Sequence, residues 1–368
     1  RMKKIRVAVI GFAHMHIQSL VKAFYQLGDK IEWVACCDIK PQLPSLSEKP
    51  STRAYNLKAV IDLTGMLAIY DDYTRLIDNS APDLAIVCCE NAFHSRVVSD
   101  LLKRGIHVLV EKPMATSMAE ALQMAAAAKQ GGAVLAINWP TTWYPGIRLA
   151  QKLVGEGIVG DVFKFTYRNT DSQGPFSYGE NLTDEEKSSQ WWYHAASGGG
   201  AFWDYCCYGA CLSSWFLGSP VRAAYGLRAN FASPFGDAED YGTITARFDS
   251  AVALIEGSWT TVNRGVPSGP IVFGLKGTLV TDGNTVSVFD KRHSTTPSAV
   301  YQADLLPEDR DTIAKELISH LEKGTPLHPT LDLPVNLNAM AILDTGYRSS
   351  VSGKLEVAPG AHYAPGSL

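Results

Sequence analysis

Three residues stand where proton and charge chemistry could take place. Asp204 and Tyr208 lie in 198-GGGAFWDYCCYGACLSSWFLG-218, four positions apart, so a helix would present them on one face. Their neighbours are strongly apolar, and a carboxylate among them needs a partner or a purpose. The plainest purpose would be a hydrogen bond to backbone or to the tyrosine hydroxyl. Lys112 follows the apolar run 106-IHVLV-110 and precedes Pro113, at the carboxyl end of a buried strand, where open α/β sheets bind ligands. A partly desolvated ammonium there would hold a substrate hydroxyl and stabilise negative charge growing on its oxygen. Tyrosine, with an ordinary pKa of about 10, is a poor base at neutral pH. Lys112 would lower the value for Tyr208 and a charged Asp204 would raise it, so Tyr208 serves as a base only if the lysine wins.

A second constellation opens the chain. In 7-VAVIGFAHMHIQSL-20 a β-branched run ends at Gly11 and an amphipathic helix follows. A dinucleotide-binding turn places G-x-G-x-x-G at such a junction, and here its glycine slots read Gly11, Ala13 and His16. Gly11 allows the tight turn and the approach of a phosphate to backbone N–H groups. Ala13 adds one methyl group, whereas His16 is larger than helix-on-strand packing prefers. The helix dipole disfavours an imidazolium at this end, so His14 is expected to be neutral. A metal centre on His14 and His16 would need a third ligand; none is near in sequence, and no metal is expected. The strand 31-IEWVACC-37 leads into Asp38, whose carboxylate would accept the adenosine ribose hydroxyls and repel a 2′-phosphate. That favours NAD; Lys40, two positions on, leaves NADP open.

These residues need a scaffold, and the first part of the chain supplies one. Buried-strand runs at 5-IRVAVI-10, 31-IEWVACC-37, 83-DLAIVCC-89, 106-IHVLV-110 and 133-AVLAIN-138 are continuous rather than alternating, as strands covered on both faces should be. Helical patterns at 93–105 and 117–132 lie between them, the second with Ser117 and Glu120 as a capping box. The segment 39–53 reads as a Pro/Ser-rich excursion. Beyond about residue 140 the strands alternate polar with apolar, at 162–169, 221–231, 241–249 and 251–260, with a turn at 282-DGN-284. Helices are expected at 308–324 and 335–350. The fold class is therefore an α/β Rossmann-type domain over 1–138 followed by an α+β domain over 139–355 with a largely antiparallel open sheet. The last helix is expected to pack back on the first domain, and 356–368 forms a frayed tail.

The totals set outer bounds. At 368 residues two domains are the prior, and 46% hydrophobic with 19% charged residues is ordinary for a soluble enzyme. Thirty-seven acids against 33 bases, with no basic block, give no nucleic-acid or anionic-membrane surface. No apolar run reaches membrane-spanning length, and RMKKIRVAVIG has a basic start but too short an apolar run and no small-residue cleavage site, so a secretory signal is not expected. Seven cysteines, three adjacent pairs plus Cys211, show no C-x-x-C spacing and read as small core residues of a cytoplasmic protein.

The stretch 83-DLAIVCCENAFHSRVVSDLLKRGIHVLVEKPMATS-117 resembles the Gfo/Idh/MocA family (glucose–fructose oxidoreductase, inositol dehydrogenase and relatives). The family's marks are present as Asn91 and His94, Gly105, His107-Val108 and Glu111-Lys112-Pro113. The glycine triplet followed by Asp204 and Tyr208 is a second match, and the resemblance runs to about residue 350. It implies an NAD(P)-dependent oxidoreductase of sugars, polyols or related secondary alcohols, in which Lys112, Asp204 and Tyr208 are catalytic. Gly11, Phe12, Ala13, His14, Met15, His16, Asp38, Lys40, Glu90, Asn91, His94, Glu111 and Lys112 would hold the cofactor. Trp139, Trp191, Trp192 and Tyr193 would offer aromatic faces to a sugar. Many relatives carry His in place of Tyr208; glucose–fructose oxidoreductase and dimeric dihydrodiol dehydrogenase carry Tyr. The polar stretch 171–190 reads as a lid. Two other functions stay open: an NAD-dependent glycosidase or internal-redox enzyme with tightly bound cofactor, and a non-catalytic dinucleotide sensor. The open sheet face is expected to pair with another subunit as a dimer or tetramer.

Overall fold

The computed structural model describes residues 4–40 and 43–360. The apolar runs of the first part become a parallel sheet. Its strands are β1 (Ile5–Ile10), β2 (Ile31–Cys37), β3 (Ile69–Tyr70), β4 (Leu84–Val87), β5 (His107–Glu111) and β6 (Leu135–Asn138). They lie in the order β3-β2-β1-β4-β5-β6, which is the dinucleotide-binding arrangement with its topological switch between β1 and β4. The crossovers are α1 (His16–Tyr25), α2 (Arg53–Thr64), α3 (Tyr73–Ser80), α4 (His94–Lys103) and α5 (Met118–Gly131). Every residue of β4 and β6 is buried because helices cover both faces. Val7 and Val9 join Ile17 and Phe24 of α1 in one cluster, while Ala8 and Ile10 join Val97 and Leu101 of α4 in another. Each such large side chain contributes roughly 1.5–3 kcal/mol by leaving water.

At the start of α5, Ser117 accepts the N–H of Glu120 as expected, but the Glu120 carboxylate turns to the N–H and hydroxyl of Thr116. The capping box is therefore opened by one residue. The excursion after β2 is less irregular than its composition suggests: Thr52 caps α2, which begins at Arg53. Positions 41 and 42 of that excursion lie outside the described residues.

The second part begins with α6 (Pro145–Gly155), β7 (Val162–Asn169), α7 (Pro175–Tyr178), α8 (Asp184–Ser188) and, after a π-helical turn at Phe202–Cys206, α9 (Cys207–Leu217). Then come β8 (Ala223–Ala229), β9 (Tyr241–Arg247), β10 (Val252–Ser258), β11 (Ile271–Gly274), β12 (Gly277–Asp282), β13 (Thr285–Phe289) and β14 (Ala299–Gln302). The chain closes with α10 (Ile313–Lys323), α11 (Leu333–Ser352) and β15 (Glu356–Val357). The sheet runs β14-β13-β12-β11-β7-β10-β9-β8-β15, antiparallel except for the β7–β10 pair. Burial alternates along β9, which carries the one-covered-face pattern of its sequence.

Two ends differ from expectation. The helix expected from residue 308 starts at Ile313, because Thr312 supplies the cap and 308–310 form a 3₁₀ turn. Glu356 and Val357 pair with Ala224 and Ala223, and Ala358 is buried, so the expected tail begins later; 361–368 lie outside the described residues. Both of the last long helices reach the first domain: α10 joins its core through Ile313, Ala314, Leu317 and Ile318, and α11 packs against α5 and β6. The helix α11 packs on the second sheet and reaches α5 through Asp344, which accepts the Met118 N–H. Among the described residues, no helix is long and apolar enough to cross a membrane. All seven cysteines are buried and free.

Candidate active site

The turn after β1 sits at the switch point. Gly11 has φ +89°, and a Cβ there would lie 2.4 Å from the Cys89 nitrogen, so β1 and β4 come together only over a glycine. The loop's N–H groups are largely spent inside the protein. Phe12 donates to Asp38, Ala13 to the Cys88 carbonyl and His16 to His14 Nδ1. The Met15 N–H finds no acceptor among the described residues. His14 is buried, and burial, His16, Lys112 and His94 together push its pKa well down, so the imidazole is neutral. His16 Nδ1 lies 2.8 Å from Glu111 Oε1, while Asn138 donates to Glu111 Oε2 at 2.8 Å. Burial works against the Glu111 charge, but His16, Lys112 and Asn138 hold it below the usual carboxylate range. The carboxylate that meets the two histidines is thus that of Glu111, at the end of β5 and far from them in sequence.

Asp38 is not the free ribose acceptor that its position suggests. Arg53 clasps it with Nε to Oδ2 at 2.7 Å and Nη2 to Oδ1 at 2.9 Å, and the Phe12 and Ile39 N–H groups also donate to Oδ1. Oδ2 keeps room for one further donor. The same guanidinium reaches Glu90 Oε1 at 2.5 Å and the Ile39 carbonyl at 3.1 Å. Burial opposes the Arg53 charge, but Asp38 and Glu90 more than offset it and raise its pKa. Glu90 Oε2 is buried without a hydrogen-bond partner among the described residues. Lys40 is exposed. Sequence reasoning missed Arg53 because it falls at the end of the Pro/Ser-rich excursion; Thr52, a cap residue immediately before it, was the available signal.

Lys112 and Asp204 meet as expected. Lys112 Nζ donates to Asp204 Oδ1 at 2.6 Å and to the Asp204 carbonyl at 2.7 Å, which leaves one ammonium N–H uncommitted. Burial pulls the Lys112 pKa down, but Asp204, with Cys207 and Glu111, carries it above the ordinary lysine range. Asp204 Oδ2 accepts from Trp259 Nε1 at 3.1 Å, a partner from the end of β10 that no sequence signal announced. The π-helical turn lies between Asp204 and Tyr208, so they are not simple i, i+4 neighbours on an α-helix; the widened turn still brings both to Lys112.

For Tyr208 the lysine does not win. Lys112 Nζ sits over its ring, 5.0 Å from the centroid, and burial, with Cys207, Glu111 and Asp204, pushes the phenol pKa well up. The Tyr208 hydroxyl therefore keeps its proton at neutral pH.

Other expected residues have structural duties. His94 is fully buried, its ring nitrogens 2.9 Å from the Pro113 carbonyl and 3.2 Å from that of Cys89; it braces the turn after β5 against β4. Asn91 Nδ2 donates to the Gly198 carbonyl, and a Cβ on Gly198 would lie 2.8 Å from the Ala92 nitrogen, so the glycine triplet docks directly on the first domain. Trp139 is a core residue: its Nε1 donates to Asn336 on α11 and its ring meets Tyr208 edge-on at 5.5 Å. Tyr193 is likewise enclosed by Phe176, Phe235 and Trp259. Trp191 Nε1 donates to the Ala13 carbonyl, and Trp192 packs edge-on against His14 at 4.7 Å, so these two indoles cover the turn. The polar stretch behind them lies down across the first domain: Ser51 donates to the Tyr178 carbonyl and Lys49 pairs with Glu186 at 2.8 Å.

The residues fit a dinucleotide. A glycine-only crossing at the switch point, an unpaired Met15 N–H and the orphaned Glu90 Oε2 leave polar groups at the crevice that a ribose and a pyrophosphate would satisfy.

Comparison with known proteins agrees. Residues 5–139 match the family model of the oxidoreductase family, NAD-binding Rossmann fold, and residues 147–280 match the GFO/IDH/MocA C-terminal domain. D-glucoside 3-dehydrogenase of Escherichia coli (strain K12) is 26% identical over 164 residues, 45% of this chain and 43% of that protein. The chain spans between 24% and 64% of the length of the curated relatives it matches. Among solved structures, the WlbA dehydrogenase of Bordetella pertussis in complex with NADH and UDP-GlcNAcA has TM-score 0.74 at 21% identity, over 97% of this chain and 99% of that one. The aldose-aldose oxidoreductase of Caulobacter crescentus complexed with glycerol has TM-score 0.74 at 20% identity, over 96% and 100%. At that identity they show the fold.

Proposed function

The chain belongs to the Gfo/Idh/MocA oxidoreductase family with an NAD-binding Rossmann domain, and on that premise we propose that it interconverts a secondary alcohol and a ketone on a sugar, polyol or related compound. The observation that carries the reading is the buried Lys112–Asp204 pair with one ammonium N–H uncommitted, at the carboxyl end of β5. NAD, when bound, supplies the hydride acceptor or donor. The Met15 N–H and Glu90, with the remaining site on Asp38 Oδ2, would hold it.

Lys112 binds the substrate oxygen and stabilises the charge that grows there during hydride transfer. Asp204 keeps the ammonium protonated and aimed, and Trp259 fixes Asp204. Trp191, Trp192 and the stretch across Ser51 and Lys49 keep water out. Arg53 is spent on two carboxylates, which leaves exposed Lys40 as the nearby cation by sequence to meet a 2′-phosphate; NAD is preferred over NADP. One relative is a D-glucoside 3-dehydrogenase and a dehydrogenase of the same fold holds UDP-GlcNAcA, which supports a carbohydrate substrate.

Exposed Tyr225, Leu227 and Leu254 lie on the outer face of the second sheet and would pair with a second copy, as a dimer or tetramer. Seven unpaired, buried thiols suit a reducing compartment such as the cytoplasm. The test is reduced-nicotinamide absorbance with NAD and a panel of aldoses, polyols and glycosides. Growth with one of them supports the reading, and a Lys112→Met variant that turns over as fast as the parent contradicts it.

A further inference from the structure

We propose that His14, His16 and Glu111 form a site for one divalent transition-metal ion of the zinc, cobalt or ferrous class. One ligand atom from each residue lies within 4.8 Å of the other two, and His14 and Glu111 are buried. His14 comes from the turn after β1, His16 from the first position of α1 and the carboxylate from the end of β5, so adjoining elements of one domain set their spacing.

The surroundings are those of a supported ligand set. Asn138 Nδ2 holds Glu111 Oε2 at 2.8 Å from the neighbouring strand, where Glu111 and Asn138 are register partners. Trp192 packs edge-on against His14 at 4.7 Å and shields it. Lys112 gives its hydrogen bonds to Asp204, so among the described residues the buried Glu111 carboxylate receives hydrogen bonds only from the His16 ring and the Asn138 amide. A buried carboxylate met in this way gains from a cation.

Ligand chemistry names the ion. Two imidazoles and one carboxylate suit zinc, cobalt or iron, and one carboxylate with no carbonyl cage is too few oxygens for calcium or magnesium. Three protein ligands also leave a coordination position open. His16 stands where a glycine would pack best, and ligation gives that substitution a purpose. The proposal needs no turnover, so it stands or falls apart from the oxidoreductase reading.

The test uses the full chain stripped with a chelator and titrated with cobalt(II) alone, followed by calorimetry and the visible spectrum, with zinc(II) as competitor. The expected result is one cobalt per chain with the visible bands of a four- or five-coordinate ion, displaced by zinc. Asn138→Ala should weaken binding roughly 10–100-fold. His16→Asn, at a half-buried position that tolerates the change, should abolish the bands while circular dichroism stays that of the parent, and His293→Gln, in an exposed loop, should change nothing. A parent that takes up no cobalt, or His16→Asn and Asn138→Ala variants that bind it as tightly as the parent, would overturn the site and leave the three residues a hydrogen-bonded trio.

Discussion

Lys112 Nζ lies 2.6 Å from Asp204 Oδ1, and the two side chains are only 1% and 7% exposed. A buried ion pair of this kind adds little to stability relative to apolar replacements, but breaking it by removing one partner costs about 3–5 kcal/mol. Lys112→Met should therefore lower the unfolding midpoint and cut kcat by about 10²–10³ through loss of the oxygen's hydrogen-bond donor. Lys112→Met with Asp204→Leu should regain most of the stability and none of the rate. Denaturant melts and steady-state kinetics on the parent and the two variants separate the two roles, and a double variant that recovers activity would remove Lys112 from the chemistry.

Protonation at rest points to a direction. Asp204 holds Lys112 protonated and burial holds Tyr208 protonated, so the unbound enzyme is loaded with acids. Ketone reduction, which consumes a proton, should be flat across neutral pH. Alcohol oxidation, which must release one, should rise with pH toward the raised lysine pKa. Tyr208→Phe should keep both profile shapes and lose about tenfold or less in rate. An alkaline limb that vanishes in Tyr208→Phe would restore Tyr208 as the base.

Arg53 bridges Asp38 and Glu90, and Glu90 is almost fully buried. Arg53→Leu should destabilise by about 3–5 kcal/mol, because it strands the Glu90 charge. Glu90→Gln in the same chain should return part of that loss, read as a coupling energy in a double-mutant cycle. Additive effects would mean that the two groups do not interact.

His328 offers a pH test of the fold away from the site. Burial first, then Arg148 and Arg310, pushes its pKa from 6.5 down to about 3. Between those values the unfolded chain carries a proton that the folded chain refuses, so stability falls as pH drops below 6.5 and is unaffected above it. The slope approaches about 1.4 kcal/mol per pH unit, or about 2 kcal/mol from pH 6.5 to 5. His328→Asn keeps a side chain that can cap the following turn and should flatten this slope in urea melts at the two pH values. An unchanged slope would place the acid sensitivity elsewhere.

What could be read from the sequence followed burial. The strands β1, β2, β4, β5 and β6 announce themselves as continuous apolar runs because both faces are covered. The strands β11 to β14 are four to six residues long and mixed in burial, and nothing but the Asp282–Asn284 turn marked them. At the site, Lys112, Asp204 and Tyr208 were recognisable from their types and neighbours. The side chains that fix their chemistry were not: Trp259 reaches Asp204 across 55 positions and His16 reaches Glu111 across 95. Asp38 was identified as an acid at the end of β2, but its occupation by Arg53 depends on how the excursion folds back. Trp139 and Tyr193 show that aromatics near a site are as readily its walls as its ligands.

The decisive experiment is a single-turnover assay with stoichiometric NAD and each candidate sugar or polyol, followed by reduced-nicotinamide absorbance in the parent and in Lys112→Met. A burst in the parent that is lost in the variant, while NAD binding measured by calorimetry is retained, is the result expected of a dehydrogenase built on the Lys112–Asp204 pair. NAD bound by both proteins with equal bursts, or with no burst for any substrate, contradicts it.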